Sequence, residues 1–525
     1  MAFGWGIRSW QQQSGGSASK IRHRAGMKMV EIEKKDIIQD ILGAMQRYPE
    51  NSAFVIDDVH YTYAQLGSKV GGIMQYLSGT TDQRVGIVAE NRIETYASIL
   101  ATLMCGKTYV ILHPSYPESR NLKITATAGL RTILYAGPFE QEAFSQKGIT
   151  LVDTTMLEES SILQQSYQAA SGDANAYIIF TSGSTNEPKG VPITRTNLNA
   201  FYRAYGQLGW LLSERDRMLQ MFELTFDVSV VSMLYPLTLG ASIYTVGYQD
   251  VKHMKVFDLL DTCELTFAAV TPSLLQLLSP YFGEMCFPSL RYLVVTAEAS
   301  QVELLDEFRA SVPNAEFVNL YGPTEATIYC TYYKIPAQGC KHRNGMVAVG
   351  QPFDGIDILI EDEQGNALPS GEMGELLVSG DQVLGGYLDD PEKSAAALVA
   401  RNGKIFYKTG DLCIVDGEGD IIYCGRKDYQ VKIQGFRIEL SEIEYTAKQF
   451  FDNTCNVVVI PAAQDGVYTE LHMVVEDHSC EEQLLQNFLK EKLPRYMLPK
   501  RIHCIPQFPV SNSNKVDRKK IAQLI

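Results

Sequence analysis

The sequence Tyr-Ile-Ile-Phe-Thr-Ser-Gly-Ser-Thr-Asn-Glu-Pro-Lys-Gly occupies residues 177–190, and it decides how the rest of the chain is interpreted. Its apolar, aromatic start at 177–180 predicts a short buried strand. The small residues that follow let backbone N–H groups approach an anion, while hydroxyls and a lysine add donors and charge. The spacing of the P-loop, Gly-x4-Gly-Lys-Ser/Thr, is absent. The stretch therefore predicts a loop that holds phosphate, in preference to a flexible Gly/Ser turn.

Composition describes an ordinary soluble globular protein of 525 residues, with 45% apolar and 20% charged side chains. The formal net charge of −15 makes nucleic acid an unsuitable partner, because no basic run offsets it. The sequence contains no apolar segment of 18 residues, so no membrane span is predicted. The ten cysteines lack CxxC and zinc spacings, which indicates free thiols in a reducing, cytoplasmic setting.

The order of predicted elements indicates an α/β protein with several parts. Strand and helix patterns alternate from residue 31 to 104 and return at 267–278 and 292–309, which favours parallel αβα layers. Short β-like runs over 349–427 predict a β-barrel-like subdomain. Residues 428–525 predict a small, mobile α+β domain, so the large N-terminal domain covers 27–427. Residues 1–26 are interpreted as an expression tag or leader, with a transit peptide as the alternative.

One acid stands alone in an apolar run. Asp227 is the only charged residue between Leu224 and Leu237. A buried carboxylate is costly unless a cation pairs with it. Asp227 is therefore a candidate for binding a positively charged group, with a structural aspartate as the simpler alternative.

Residues 181–190 closely resemble the signature Thr-Ser-Gly-Ser-Thr-Gly-x-Pro-Lys-Gly of the adenylate-forming enzymes, with Asn186 where glycine is usual. This family includes acyl-CoA synthetases, luciferases and the amino-acid-activating domains of nonribosomal peptide synthesis. Further similar motifs lie at 226–229, 319–325, 407–411 and 514–518, in the family's order.

The resemblance implies an ATP site with Mg²⁺ and assigns residues to it. Thr324 and Lys515 would be the catalytic residues, and Glu325 would hold the metal. Asp411 would bind the ribose, and Tyr321 would contact adenine. The full set implied for ATP or AMP is Thr181, Ser182, Gly183, Ser184, Thr185, Lys189, Asn319, Tyr321, Gly322, Thr324, Asp411, Tyr423, Arg426 and Lys515.

The resemblance also implies that Asp227 binds the α-ammonium of an amino acid. The pocket positions carried over from the family are Asp227, Val228, Val231, Ala269, Val295, Ala297, Leu320, Ile328 and Tyr329. A charged substrate side chain would be buried unpaired there. The set is similar to that of free-standing prolyl-adenylating enzymes, so L-proline is the first expectation. A D-alanine–carrier protein ligase comes next, then valine or another small aliphatic amino acid; an acyl- or aryl-CoA synthetase is the rival class.

A second half-reaction follows from the resemblance. The segment 431–439 matches the part of the family that faces the active site for thioester formation, where Gly435 leaves room for a thiol arm. Asp428 matches the hinge between the large and small domains. Because the sequence ends about ten residues after Lys515, we expect a free-standing enzyme; a monomer is the default expectation. It would load the phosphopantetheine of a separate carrier protein, in nonribosomal peptide or alkaloid biosynthesis.

Overall fold

Two largely parallel sheets form the framework of the chain. The computed structural model describes residues 36–139, 142–162, 167–181, 188–428, 430–464, 467–477, 479–509 and 516–525, and from Ile37 onward they belong to one unit. The larger sheet has nine strands, with parallel pairing in its interior and antiparallel pairing at both edges. In spatial order they are Gln351–Pro352, Thr331–Ile335, Glu316–Tyr321, Tyr292–Thr296, Phe267–Val270, Arg217–Gln220, Ser242–Thr245, Ser52–Ile56 and Val59–Thr62.

The second sheet has six strands and contains both ends of the stretch 177–190. Its spatial order is Thr150–Asp153, Thr132–Tyr135, Arg84–Val88, Thr108–Leu112, Asn175–Thr181 and Lys189–Thr194. The last two strands pair antiparallel, with Thr181 opposite Lys189. The predicted strand at 177–180 is confirmed, while the strand after Pro188 was not predicted. The loop residues between, 182–187, lie outside the described part of the chain.

Helices pack on both sheets, as an α/β layer architecture requires. The helix Ile93–Met104 packs on the six-stranded sheet, and Val228–Leu239 packs on the nine-stranded sheet. The other α-helices of this part are Ile37–Arg47, Tyr63–Ser78, Glu118–Thr127, Glu142–Ser145, Arg195–Gly206, Lys252–Thr262, Pro272–Leu278, Val302–Phe308 and Pro391–Ala397. Short 3-10 turns occupy Thr154–Met156, Ser279–Glu284, Arg309–Ser311 and Thr324–Ala326. No helix in the described ranges is long and apolar enough to cross a membrane.

The β-rich region predicted over 349–427 contains a five-stranded antiparallel sheet. Its strands are Asp357–Glu361, Gly374–Ser379, Leu398–Arg401, Lys404–Val415 and Ile421–Arg426. A two-stranded ribbon, His342–Arg343 with Met346–Val347, lies just before it in the chain. The twelve-residue strand Lys404–Val415 is longer than the predicted run at 404–407, and it carries Asp411.

The C-terminal part builds its own core. Antiparallel strands Val457–Gln464 and Val467–Glu476 and the parallel strand Arg501–Ile505 form its sheet. Its α-helices are Leu440–Phe450, Glu482–Lys490 and Arg518–Ala522, with a 3-10 turn at Arg495–Met497. Its buried apolar side chains form clusters separate from the main one. The hairpin Gln430–Ile433 with Phe436–Glu439 connects it to the large part and faces the cleft described next.

Candidate active site

A cleft of roughly 630 Å³, including the space at its open mouth, lies where parallel strands of the larger sheet end. In open α/β sheets, ligands bind at the carboxyl ends of the strands. The hairpin of the small part forms its opposite wall. The lining residues are Phe222, Phe226, Asp227, Val228, Thr296, Ala297, Tyr321, Gly322, Pro323, Thr324, Ile328, Tyr329, Asp411, Arg426, Gln430, Lys432, Gly435 and Arg437.

Eleven of the residues singled out from the sequence meet in this one cleft, although they come from segments up to 208 residues apart. They are Asp227, Val228, Ala297, Tyr321, Gly322, Thr324, Ile328, Tyr329, Asp411, Arg426 and Gly435. Four predicted pocket residues are buried near it without lining it: Val231, Ala269, Val295 and Leu320. Thr296 does line it, so its hydroxyl joins those of Tyr321, Thr324 and Tyr329 among the lining side chains; the sequence interpretation had overlooked it.

Asp227 immediately precedes the helix Val228–Leu239 and is 8% exposed. Burial disfavours a charged carboxylate and raises the pKa of Asp227 to about 6, although the neighbouring Thr324 and Lys432 pull the pKa down. The site therefore holds a carboxylate that is destabilised when ionised. A cationic group bound beside it would relieve that penalty.

A second cluster joins the end of the larger sheet to the β-rich region. The Tyr321 hydroxyl donates to Asp411, and Arg426 Nη1 donates to the other Asp411 oxygen at 2.9 Å. Arg426 also forms a two-bond pair with Asp428, at 2.9 and 2.6 Å. Burial alone would raise the pKa of Asp428, but Arg426 holds it below its usual value. The Arg426 guanidinium therefore holds the side chains of both Asp411 and Asp428.

Glu325 is fully buried among cations. Its Oε1 accepts a hydrogen bond from the Tyr387 hydroxyl at 2.9 Å and lies 3.2 Å from Lys189 Nζ. Its Oε2 accepts from Arg437 Nη1 at 2.7 Å. Burial would raise the pKa of Glu325, but Arg437 and Lys189 together hold it well below its usual range.

These contacts bear on the expectation that Glu325 binds Mg²⁺. Both carboxylate oxygens are engaged by positively charged or hydroxyl donors, and a divalent cation does not fit between them. Among the described residues, no group of three or more His, Cys, Asp or Glu side chains could hold a metal ion. A metal at Glu325 would require Arg437 to withdraw.

The sequence interpretation also missed Glu298, which secures the hairpin to the large part. Glu298 Oε1 accepts the Gly435 backbone N–H at 2.6 Å, and its Oε2 accepts the Ser273 N–H at 2.9 Å. Gly435 has a φ of 83°, and an added Cβ would lie 3.0 Å from a Thr271 methyl group. The hairpin turn is therefore seated closely at the cleft. The acid that ends the uncharged run 292–297 could have identified Glu298.

Aromatic and ionic contacts hold the small part beside the cleft. The Phe436 ring stacks on Tyr496 at 4.1 Å and meets the edge of Phe226 at 4.9 Å. Arg120 pairs with Glu442 at 2.8 Å, and both side chains are buried.

Several predicted residues lie elsewhere. The Asn319 side chain donates to the Ala348 carbonyl at 2.9 Å, which is a structural contact. Thr181 ends its strand and Lys189 begins the next, so they flank the predicted phosphate loop. Tyr423 lies on the strand Ile421–Arg426 and does not line the cleft. The predicted residues Ser182, Gly183, Ser184, Thr185 and Lys515 fall outside the described residues.

The parallel sheets, the cleft at their ends and the small C-terminal part define the class of adenylate-forming enzymes. Residues 43–388 match the family described as AMP-binding enzyme, and this chain belongs to that family.

Relatives resemble the chain over most of its length. Zwittermicin A synthase ZmaJ of Bacillus cereus is 30% identical over 503 residues, covering 91% of this chain and 93% of its own. D-alanine–D-alanyl carrier protein ligase of Lactococcus lactis is 28% identical, covering 93% and 98%. Tyrocidine synthase 3 of Brevibacillus parabrevis is 31% identical over 90% of this chain, which spans only 7% of that synthase.

A solved structure shares the fold. The Vibrio cholerae adenylation domain AlmE, in complex with glycyl-adenosine-5'-phosphate, has a TM-score of 0.82 at 26% identity, covering 93% of this chain and 97% of its own. Relatives of nonribosomal peptide type and free-standing ones are thus both represented.

Proposed function

We propose that this protein uses ATP to convert a small apolar amino acid into its aminoacyl-adenylate, with release of pyrophosphate. It would then transfer the aminoacyl group to the phosphopantetheine thiol of a separate carrier protein. The observation that carries this proposal is Asp227, a buried carboxylate that lines the cleft and whose pKa is raised by burial even though Lys432 of the same cleft lowers it. The α-ammonium of an amino acid would bring a further positive charge directly beside this carboxylate.

In the first half-reaction, the amino-acid carboxylate attacks the α-phosphate of ATP and pyrophosphate leaves. Asp227 orients the substrate through its ammonium. Asp411, held by Tyr321 and Arg426, offers acceptor oxygens to the ribose hydroxyls. Thr324 would donate to the α-phosphate. Such reactions depend mainly on positioning and charge stabilisation, which these side chains provide.

Two lysines and one loop would act on the phosphates. Lys189 and the loop after Thr181 are assigned to the β- and γ-phosphates. Lys515 is assigned to the substrate carboxylate and α-phosphate, where its ammonium offsets negative charge. Mg²⁺ would accompany ATP and neutralise phosphate charge, with no residue of the described arrangement assigned to it.

In the second half-reaction, the thiol attacks the aminoacyl carbonyl and AMP leaves. The contact of Gly435 with Glu298 supports a role for this hairpin in the second step, because it places a residue without a side chain at the cleft wall. Asp428 would be the hinge about which residues 428–525 turn between steps. The separate apolar core of the small part supports that division from the large domain, 27–427.

The cleft favours a compact, uncharged substrate side chain. Val228, Ala297 and Ile328 are apolar, and a charged side chain among them would be buried unpaired, costing several kcal/mol. We keep L-proline as the first candidate because the pocket positions of this chain are similar to those of free-standing prolyl-adenylating enzymes. D-alanine is the second, supported by the Lactococcus relative, and glycine is a further candidate from the ligand named for AlmE. Valine follows.

We also propose a monomer that acts in the cytoplasm, in nonribosomal peptide or alkaloid natural-product biosynthesis. The acidic composition and the free cysteines support this setting. Residues 1–26 are proposed to be a tag or leader outside the working enzyme.

Amino-acid-dependent exchange of labelled pyrophosphate into ATP tests the first half-reaction. The panel contains L-proline, D-alanine, glycine, L-alanine and L-valine, with L-lysine and L-glutamate as charged controls. We expect exchange with at least one small apolar amino acid and background with both charged ones. Background with every small amino acid would refute the proposed activation, whereas a signal with D-alanine alone would replace only proline.

A further inference from the structure

Two thiols of the small part are in direct contact. Cys480 Sγ and Cys504 Sγ lie 2.7 Å apart. Non-bonded heavy atoms usually stay about 3.5–4.0 Å apart, and all ten cysteines of the chain are free. Both side chains of the pair are partly exposed. The pair is therefore reachable by a small reagent and already placed for reaction between its members.

The two cysteines lie at the ends of the segment 481–503, one before a helix and the other in a strand. Cys480 precedes the helix Glu482–Lys490, with its carbonyl accepting the Glu482 N–H, and it packs on the core of the small part. Cys504 lies in the strand Arg501–Ile505, opposite Val475. A bond between the sulfurs would join helix and strand without moving either far.

The chain enclosed by this pair carries contacts to the rest of the molecule. Tyr496 stacks on Phe436 of the cleft-facing hairpin and approaches Tyr116 of the large part at 6.3 Å. The Glu491 carbonyl accepts from the Ser119 hydroxyl at 3.4 Å. A restraint on residues 481–503 would thus act on the side of the small part that touches the large one.

We propose that Cys480 and Cys504 form a reversible dithiol modification site, oxidised by a low-molecular-weight disulfide to an intramolecular disulfide. The bridge restrains residues 481–503 in the conformation in which Tyr496 packs on Phe436. This inference does not depend on the identity of the amino-acid substrate.

The reaction is thiol–disulfide exchange. The Cys504 thiolate attacks one sulfur of oxidised glutathione and expels a glutathione thiolate, which takes up a proton. Cys480 then loses its proton, attacks Cys504 Sγ and expels the second glutathione. Two protein S–H bonds become one S–S bond, and the reagent disulfide becomes two thiols. Burial and the adjacent thiol raise the pKa of Cys480, so the second attack is assigned to Cys480.

Peptide mapping of the full chain tests the site. The protein is incubated with oxidised glutathione, the remaining thiols are alkylated, and the digest is analysed by mass spectrometry. We expect a Cys480–Cys504 cross-linked peptide, removed by dithiothreitol. Cys480→Ser should leave glutathione bound to Cys504, and Cys504→Ser should give no cross-link. Cys455→Ser, a partly exposed cysteine of the same part, is the matched control and should still form the cross-link.

Hydrogen exchange measures the restraint. Amides of 481–503 should exchange several-fold more slowly in the oxidised wild type and be unchanged in oxidant-treated Cys504→Ser. Three outcomes would overturn the proposal. The first is that Cys480 and Cys504 remain fully alkylatable after treatment with oxidised glutathione that has already glutathionylated the exposed Cys286. The second is stable glutathione on wild-type Cys504. The third is protection of both cysteines by Zn²⁺ alone, which would identify a metal pair.

Discussion

Replacing Asp227 by asparagine keeps the shape of the side chain and removes its charge. In the free enzyme, burial destabilises the ionised carboxylate and raises its pKa from an ordinary 3.8 to about 6. At 1.36 kcal/mol per pKa unit, the cost of ionising it is higher by roughly 3 kcal/mol. An α-ammonium bound beside it would recover this penalty. Truncating one partner of a buried charge pair costs about 2–5 kcal/mol. We therefore expect kcat/KM for the amino acid to fall about a hundredfold or more, mainly through KM.

The assay is pyrophosphate exchange at varied amino-acid and ATP concentrations. KM for ATP should change little in Asp227→Asn. In the wild type, KM for the amino acid should rise as the pH falls through about 6, because Asp227 becomes protonated; the variant should lack this dependence.

Stability provides the control for misfolding. A carboxylate whose folded pKa is raised binds its proton more tightly in the folded state. Its contribution is thus neutral below pH 3.8 and becomes destabilising as the pH rises to about 6. Asp227→Asn should consequently unfold at the same temperature as the wild type, or higher, at pH 7. A variant that is folded and keeps KM within threefold of the wild type would refute the role of Asp227.

Three further predictions concern other contacts. Glu298→Ala removes the acceptor of the Gly435 N–H, so transfer to a thiol acceptor should slow about tenfold, as expected for a hydrogen bond to a charged group. Pyrophosphate exchange should stay within twofold of the wild type. Equal loss in both assays would contradict a role of this hairpin in the second half-reaction. Asp411→Asn should raise KM for ATP at least tenfold while leaving KM for the amino acid unchanged, and the reverse pattern would contradict a ribose contact. Arg120→Met removes the guanidinium that pairs with the buried Glu442 carboxylate and should destabilise the protein by about 3–5 kcal/mol in urea melts. The double variant with Glu442→Leu should recover most of this loss, and additive losses would contradict the pairing.

Local pattern predicted most of the framework. The hairpin at 52–62 joins two β-type runs through Asp57 and Asp58, which adopt the left-handed φ values of 48° and 65° that a tight hairpin turn requires. The parallel strands are near-continuous apolar runs because both faces are covered. The strand Lys189–Thr194 was missed, since it contains Pro192, which is tolerated only because this strand lies at the sheet edge, and it follows directly on the loop residues.

The site was predictable where one residue carries its own signal. Asp227 is a lone acid in an apolar run, and the cleft contains it. Arg437 was missed as a site residue because its partner Glu325 lies 112 residues away, and pairing at that distance leaves no local pattern. The nucleotide role assigned to Asn319 stays a prediction; the described contact of its side chain is a hydrogen bond to the Ala348 carbonyl.

The most direct test of the central claim compares an amino acid with the same acid lacking the amino group. Pyrophosphate exchange supported by the best amino acid of the panel is measured beside its desamino analogue, such as cyclopentanecarboxylate for L-proline or propionate for D-alanine. Because Asp227 is assigned to the ammonium, we predict at least a hundredfold preference in kcat/KM for the amino acid, about 3 kcal/mol. Equal exchange with the analogue would contradict an amino-acid-activating enzyme and identify a carboxylic-acid ligase instead.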